Sequence, residues 1–321
     1  MPSQSGRSRL NRALIWIGPL LLWALFPLVA TRHMVDLLVF AGLYSIAGLG
    51  VAFLLGQCGI VNLAQSVFYG IGAYSVAWFC AQKGFPSPVG ILSGVALSVI
   101  IAAVVGWPIL RLSGYFLALA TLALGIIGQV LFLEWDWITG GTLGIGGIPY
   151  IEPFGFAFDT PTRFYFLVWP IALLLLVLHH NLLNSRAGLA LRAMRDEADA
   201  AEVLGIDIHK LKVQMFMLSA ALGSIAGSLF AHYVTFVSVD SFAIDRAISF
   251  LLLAVLGGVY TVWGPVLGAL FITILPQWLS HLGDIHAFVF AAALVAAVIL
   301  LPEGFGGAVT NWWQRRRAKR A

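Results

Sequence analysis

Asn62, Gln65 and Ser66 stand within one five-residue stretch, with Gln57 just upstream and Tyr69 one helical turn on. Their amides and hydroxyls donate and accept hydrogen bonds but carry no net charge. Glycines bracket them, in Gly56-Gln-Cys-Gly59-Ile-Val-Asn62-Leu-Ala-Gln65-Ser66. In a surrounding run of apolar residues, such a cluster has two readings. A broken or re-entrant helix can expose it to a polar cavity inside a membrane. Alternatively it forms a wet turn at the membrane edge, with Asn62 as helix N-cap. On the first reading Asn62, Gln65, Ser66 and Tyr69 are candidate pathway residues.

A second cluster suits docking. In 186–206, Leu191, Met194, Ala198, Ala201 and Leu204 recur at spacings of three and four, while Arg192, Arg195, Asp196, Asp199 and Glu202 share another face. That periodicity predicts a short amphipathic helix, and Gly205 stands where a left-handed C-cap belongs. The apolar face is built mostly of small residues, so another backbone could approach it closely. The helix either rests at the membrane surface or docks a cytoplasmic partner, with its alternating charges setting the register.

Other chemistry is missing. The four lysines are Lys83, Lys210, Lys212 and Lys319, and none follows a glycine, so there is no phosphate-binding Gly-x-x-x-x-Gly-Lys loop. Gly144-Ile-Gly-Gly147 neither follows a strand nor opens a helix, so it is not a dinucleotide fingerprint. Cys58 and Cys80 have no metal-ligand or redox spacing. No catalytic, metal or cofactor site is expected. Asp36, Asp245, Arg246 and Asp284 lie near the ends of apolar runs. An ion-coupled transporter usually keeps carboxylates inside its spans.

These clusters must be positioned by membrane-spanning helices. Hydrophobic residues make up 60% of the 321 and charged residues 10%, against ~25% charged in soluble domains. The apolar runs are long and do not alternate, so the fold class is an all-α integral membrane protein. About ten transmembrane helices are expected, near 14–30, 35–55, 61–81, 89–110, 114–133, 164–181, 211–234, 246–258, 262–280 and 286–301. Residues 1–13 form a basic leading segment, 14–305 the membrane domain and 306–321 a basic tail. With both termini cytoplasmic, only Arg32, Lys83, Arg163 and Arg246 of the 18 Lys and Arg face outward, as the positive-inside rule requires. The net charge of +4 is thereby explained without nucleic acid. The outer connection 134–163 is acidic and glycine-rich. Gly223 and Gly227, like Gly264 and Gly268, have the Gly-x-x-x-Gly spacing of closely packed spans.

The stretches Asn62-Leu-Ala-Gln-Ser-Val-Phe-Tyr-Gly-Ile-Gly-Ala-Tyr74, Gly114-Tyr-Phe-Leu-Ala-Leu-Ala-Thr-Leu122 and Thr139-Gly-Gly-Thr-Leu-Gly-Ile-Gly-Gly-Ile-Pro149 carry a family likeness. So do 185–206, 219–241 and Val255-Leu-Gly-Gly-Val-Tyr-Thr-Val-Trp-Gly-Pro-Val-Leu-Gly-Ala269. The chain resembles the permeases of bacterial branched-chain amino acid ABC transporters, in particular the M-type subunit of the high-affinity leucine/isoleucine/valine system. The likeness runs from about 35 to 305. It implies an inner-membrane pore subunit paired with an H-type permease, two cytoplasmic ATPases that hydrolyse the ATP, and a periplasmic substrate-binding protein. The segment at about 190–206 resembles the coupling helix of such permeases. Arg192, Arg195, Glu197, Ala198, Ala201, Glu202 and Gly205 are the residues that would dock the ATPase. Asp199 interrupts the family's Glu-Ala-Ala run, and its later Ile-x-Leu-Pro is missing. Related systems move urea, amides or other small amino acids. A self-powered, ion-coupled transporter is the remaining alternative.

Overall fold

A computed structural model describes residues 27, 30–279, 281, 285–300 and 304–307. The expected first span, 14–30, and the two basic termini fall almost entirely outside the described residues. Eleven described helices follow, here α1 to α11: Arg32–Cys58, Gln65–Val76, Ser87–Ile109, Gly114–Glu134, Pro161–Leu183, Arg186–Asp196, Ala198–Val203, Ile208–Val234, Ile244–Gly257, Gly264–Leu279 and His286–Leu300. A single helical turn, Asp136–Thr139, follows α4. Among the described residues, the one sheet is a two-residue ladder: β1 (Ile145–Gly146) antiparallel to β2 (Phe236–Val237), with Ile145 opposite Val237.

Five helices are long and apolar enough to cross a membrane: α1, α3, α4, α5 and α8. They sort into two layers. The most apolar windows of α1 and α8 are 78% and 72% buried, whereas those of α3, α4 and α5 are 28%, 28% and 22% buried. So α1 and α8, packed on each other with the short α2 against α8, form the core. The other spans present apolar side chains such as Leu92, Ile100, Val104 and Leu174 outward, as helices facing lipid do.

Small residues set how closely the core helices approach. A Cβ at Gly227 would lie 1.8 Å from the Tyr69 carbonyl oxygen, and one at Gly72 would lie 2.1 Å from that of Ser224. Helices α2 and α8 therefore touch backbone to backbone, which the Gly223/Gly227 spacing anticipates. The α9–α10 pair repeats the device at Gly257, Gly264 and Gly268.

The expected helix at 61–81 is altered at both ends. Residues 59–64 are not helical, and α2 begins at Gln65. At its far end α2 passes into a π-helical segment, Ala77–Gln82. The expected docking helix is also divided. Glu197 adopts extended geometry, φ −149° and ψ 89°, and separates α6 from α7.

Candidate functional site

Helix α1 ends at Gly59, whose left-handed φ of 65° turns the chain back into the bundle. The next residues climb between helices in irregular backbone, with Ile60, Asn62 and Ala64 all buried. Their polar groups find partners. The Leu63 amide donates to Thr121 Oγ1 at 3.2 Å, and that hydroxyl donates to Val61 O or Ala118 O. Asn62 Oδ1 accepts from the Ala64 amide at 2.9 Å, an Asx turn in place of the helix cap of the wet-turn reading. Irregular backbone at membrane depth is tolerated only where protein supplies such partners.

Gln65 completes a closed knot. Its Nε2 donates to Ala47 O at 3.0 Å and Ser219 O at 3.1 Å. Its Oε1 accepts from Ser219 Oγ at 2.9 Å and Asn62 Nδ2 at 3.2 Å. Ala47 lies eleven residues before the end of α1, and Ser219 eleven after the start of α8. At 1.5 Å per residue the knot is therefore about 16 Å inside either helix end. That depth favours the broken-helix reading over the wet turn.

The four expected pathway residues share this region, but the packed bundle encloses them. Asn62, Gln65, Ser66 and Tyr69 are each 0–1% exposed. Tyr69 sits among Phe230, Phe242 and Phe250, with ring centroids 5.4–5.8 Å away. Its hydroxyl has no hydrogen-bond partner among the described residues. An open cleft runs instead along a neighbouring stripe of α2, where Val67, Ile71 and Tyr74 face α3 and α4.

The cluster expected to dock a partner stands at the end of the bundle where α1 finishes. Helix α6 packs under α1 and α5, and α7 touches α8. Leu191, Met194 and Ala201 are buried, as the amphipathic pattern requires, but Ala198 and Leu204 are exposed. The break at Glu197 shifts the helical phase and so separates residues the pattern had placed on one face. Val203 and Leu204, 88% and 80% exposed, form an apolar tip. Arg192, Glu197 and Glu202 also face outward.

Gly205 has a φ of 85°. The Ile206 amide returns to Ala201 O at 3.1 Å and the Gly205 amide to Glu202 O at 2.9 Å. This pair of bonds is the Schellman cap that the glycine predicted. Arg195 behaves differently from its neighbours. Its guanidinium donates to Gly56 O at 3.2 Å, pairs with Asp196 at 3.1 Å, and lies 5.3 Å over the Tyr260 ring. It ties the α6–α7 segment to the end of α1 and to the α9–α10 turn.

At the opposite end, the glycine-rich stretch 139–149 is ordered. Thr139 Oγ1 donates to Phe132 O or Trp135 O. The ladder pins Ile145 to Val237, and His232 Nδ1 donates to Pro149 O at 2.7 Å. Two contacts there escaped sequence reasoning. Arg246 donates to the Tyr44 hydroxyl at 2.8 Å, and Tyr233 donates to Asp36. A charged side chain in an apolar run was the available signal, but its partner lies some two hundred residues away in sequence.

Comparison with known proteins assigns this arrangement. Residues 33–301 match the family model described as the permease component of branched-chain amino acid transport systems. The chain belongs to that family. The high-affinity branched-chain amino acid transport system permease protein LivM of Escherichia coli K12 is 30% identical over 331 aligned positions, covering 95% of this chain and 77% of the relative. BraD of Pseudomonas aeruginosa, a permease of the same description, is 24% identical over 86% of this chain and 95% of its own length. LivH of E. coli K12 is 25% identical over 82% of this chain and 91% of its own. No solved structure matches. The chain is thus a multi-pass membrane permease component of the LivM type, a subunit of a transport system.

Proposed function

We propose that the chain is the M-type permease of an importer for leucine, isoleucine and valine, driven by two separate cytoplasmic ATPase subunits. An H-type permease completes the pore, and a periplasmic binding protein delivers substrate. The relatives' names support the substrate class. Because LivM-type and LivH-type chains both align along most of this one, two related subunits can pair about a pseudo-twofold axis. Ten spans with both termini cytoplasmic satisfy the positive-inside rule and put the α6–α7 segment on the cytoplasmic side.

The observation that carries the reading is the form of that segment. Its inner face is anchored to α1 through Arg195, while its tip presents Val203 and Leu204 to solvent. An exposed apolar tip on a segment that also exposes Arg192, Glu197 and Glu202 suits a groove on a partner. When ATP closes the two ATPases, the segment moves with them. Arg195 passes the displacement to the end of α1 and the α9–α10 turn. The bundle then alternates access between its two sides.

Affinity purification from membranes, followed by reconstitution with binding protein, tests this. The expected result is a second permease with two ATPase subunits, and ATP-dependent accumulation of branched-chain amino acids. A pure, active protein that works without an ATPase and follows an ion gradient would overturn it. Uptake of urea or amides in place of leucine would keep the class and change the substrate.

A further inference from the structure

Helix α9 is short of a full span. Its 14 residues rise about 21 Å, against the ~20 residues that cross a bilayer. It runs beside the second half of α1: a Cβ at Gly48 would lie 2.2 Å from the Leu253 side chain, and one at Gly56 would lie 2.1 Å from the Val259 carbonyl oxygen. The first turn of α9 therefore opens inside the bundle, and Arg246 stands in that turn. Its Nη1 donates to the Tyr44 hydroxyl at 2.8 Å, its Nε donates to Ser241 O at 3.4 Å, and the guanidinium lies 5.1 Å over the Tyr44 ring. Tyr44 is twelve residues into α1, about 18 Å from its start. Ala47, which accepts from the amide knot, is one turn further on.

A cation at such depth is costly, and it marks a pathway or a charged partner. Arg246 has no carboxylate partner among the described residues, whose two ion pairs are Arg163–Asp159 and Arg195–Asp196. Both of its hydrogen-bond acceptors are neutral oxygens, and a guanidinium has five N–H donors. The start of α9 adds partial positive charge beside it, and helices that begin inside a membrane aim such ends at anionic groups. The side chain is partly exposed, so a ligand can reach it. The buried Tyr69 hydroxyl, without a hydrogen-bond partner among the described residues, stands within electrostatic reach of Tyr44 and Arg246.

A lane leads to this cation. Asp36, Phe40 and Tyr44 recur every four residues on one face of α1, and each is partly exposed. The Phe40 ring lies 6.0 Å from Tyr44 and 5.6 Å from Tyr233, whose hydroxyl donates to Asp36. The lane has a carboxylate at its mouth, aromatic hydrocarbon along its wall and a guanidinium at its foot. That order suits an aliphatic amino acid: Asp36 draws the ammonium, the rings accept the side chain, and Arg246 answers the carboxylate. Urea or a neutral amide would leave Arg246 without a counter-charge.

We infer that Arg246 is a subsite for the carboxylate of the transported amino acid, reached along the Asp36–Phe40–Tyr44 face of α1. The inference rests on the importer reading, and it gives this chain a share in substrate selection beyond that of the binding protein.

The test uses the complete complex in proteoliposomes, with leucine-loaded binding protein below saturation. Losing a charge-assisted contact weakens binding about tenfold or more, so Arg246→Gln should cut leucine uptake by that factor. Arg246→Lys keeps the charge and should retain several-fold more uptake than Arg246→Gln. In the wild-type complex, phenylglyoxal should modify Arg246, read by peptide mass spectrometry, more slowly with leucine-loaded than with leucine-free binding protein when ATP is present. Equal uptake by the Gln and Lys variants would overturn the subsite, leaving Arg246 as a latch on Tyr44. Loss of the H-type permease from the Arg246→Gln complex would also overturn it, in favour of an ion pair between subunits. Equal modification with loaded and empty binding protein would overturn it with the importer reading intact. A wild-type complex that accumulates no leucine sinks both readings. If Arg246→Gln fails to reach the membrane, the phenylglyoxal rates decide.

Discussion

Gln65→Leu removes the knot while nearly preserving volume. Four hydrogen bonds disappear: two donated by Nε2 to Ala47 O and Ser219 O, and two accepted by Oε1. Inter-helix hydrogen bonds in membranes average about 0.6 kcal/mol each, so the direct loss is about 2.4 kcal/mol. The orphans add to it unequally. Ala47 and Ser219 lie within helices, where their carbonyls keep their backbone partners. The Ser219 hydroxyl can rotate to a carbonyl of its own helix. Asn62 is held by its bond to the Ala64 amide, so its Nδ2 stays unpaired, at about 1 kcal/mol. The expected destabilisation is about 3 kcal/mol, read as a shift in the SDS-unfolding midpoint of purified protein in mild detergent. Gln65→Glu keeps an acceptor but turns the donor into an oxygen facing two carbonyls, and should lose at least as much. A Gln65→Leu loss below about 1 kcal/mol, or a Gln65→Glu protein more stable than Gln65→Leu, would refute the reasoning.

Other substitutions probe the packing and the docking segment. Gly227→Ala puts a methyl 1.8 Å from Tyr69 O, so α2 and α8 must part by more than an ångström; a loss at or above the top of the ~1–3 kcal/mol range for overpacked sites is expected in the same titration. Arg195→Ala should leave ATPase subunits bound, by co-purification, yet cut uptake per ATP hydrolysed several-fold. Arg195→Lys should restore it only partly, because an ammonium lacks the planar fork that reaches Gly56 O and Asp196 together. Gly205→Pro forces φ to about −65° where the chain needs 85° and deletes the bond to Glu202 O. Uptake should be lost with membrane insertion unchanged, and normal uptake would count against the docking role.

Much of this fold could be read from run length alone. The spans expected at 35–55, 89–110, 114–133, 164–181 and 211–234 each correspond to a described helix of similar bounds, because a long apolar run in lipid has almost no alternative to helix. The amides at 57–66 located the interruption before α2, but periodicity could not say that the knot would be sealed. That depends on Ser219, more than one hundred and fifty residues away. The break at Glu197 was missed because an apolar repeat passes through one extended residue unmarked. A signal existed in the charges: Arg195 closes α6, and Glu197 and Asp199 open α7, the signs that suit a helix end followed by a helix start. The π-helical segment at 77–82 left no comparable trace. The cleft was invisible for a further reason, since its walls come from three helices whose spacing only tertiary packing sets.

The knot is tied with amides and a hydroxyl, and this has an electrical consequence. Carrying one elementary charge across a membrane couples it to the potential by about 2.3 kcal/mol per 100 mV. A carboxylate or ammonium at the position of Gln65 would make each swing of α2 and α8 sense that voltage, favouring one orientation in an energised cell and another in a depolarised one. Asn62, Gln65 and Ser219 carry no charge to move. The knot between α1, α2 and α8 therefore adds no gating charge of its own, and on the importer reading proposed above the direction of movement is set by the ATPase subunits.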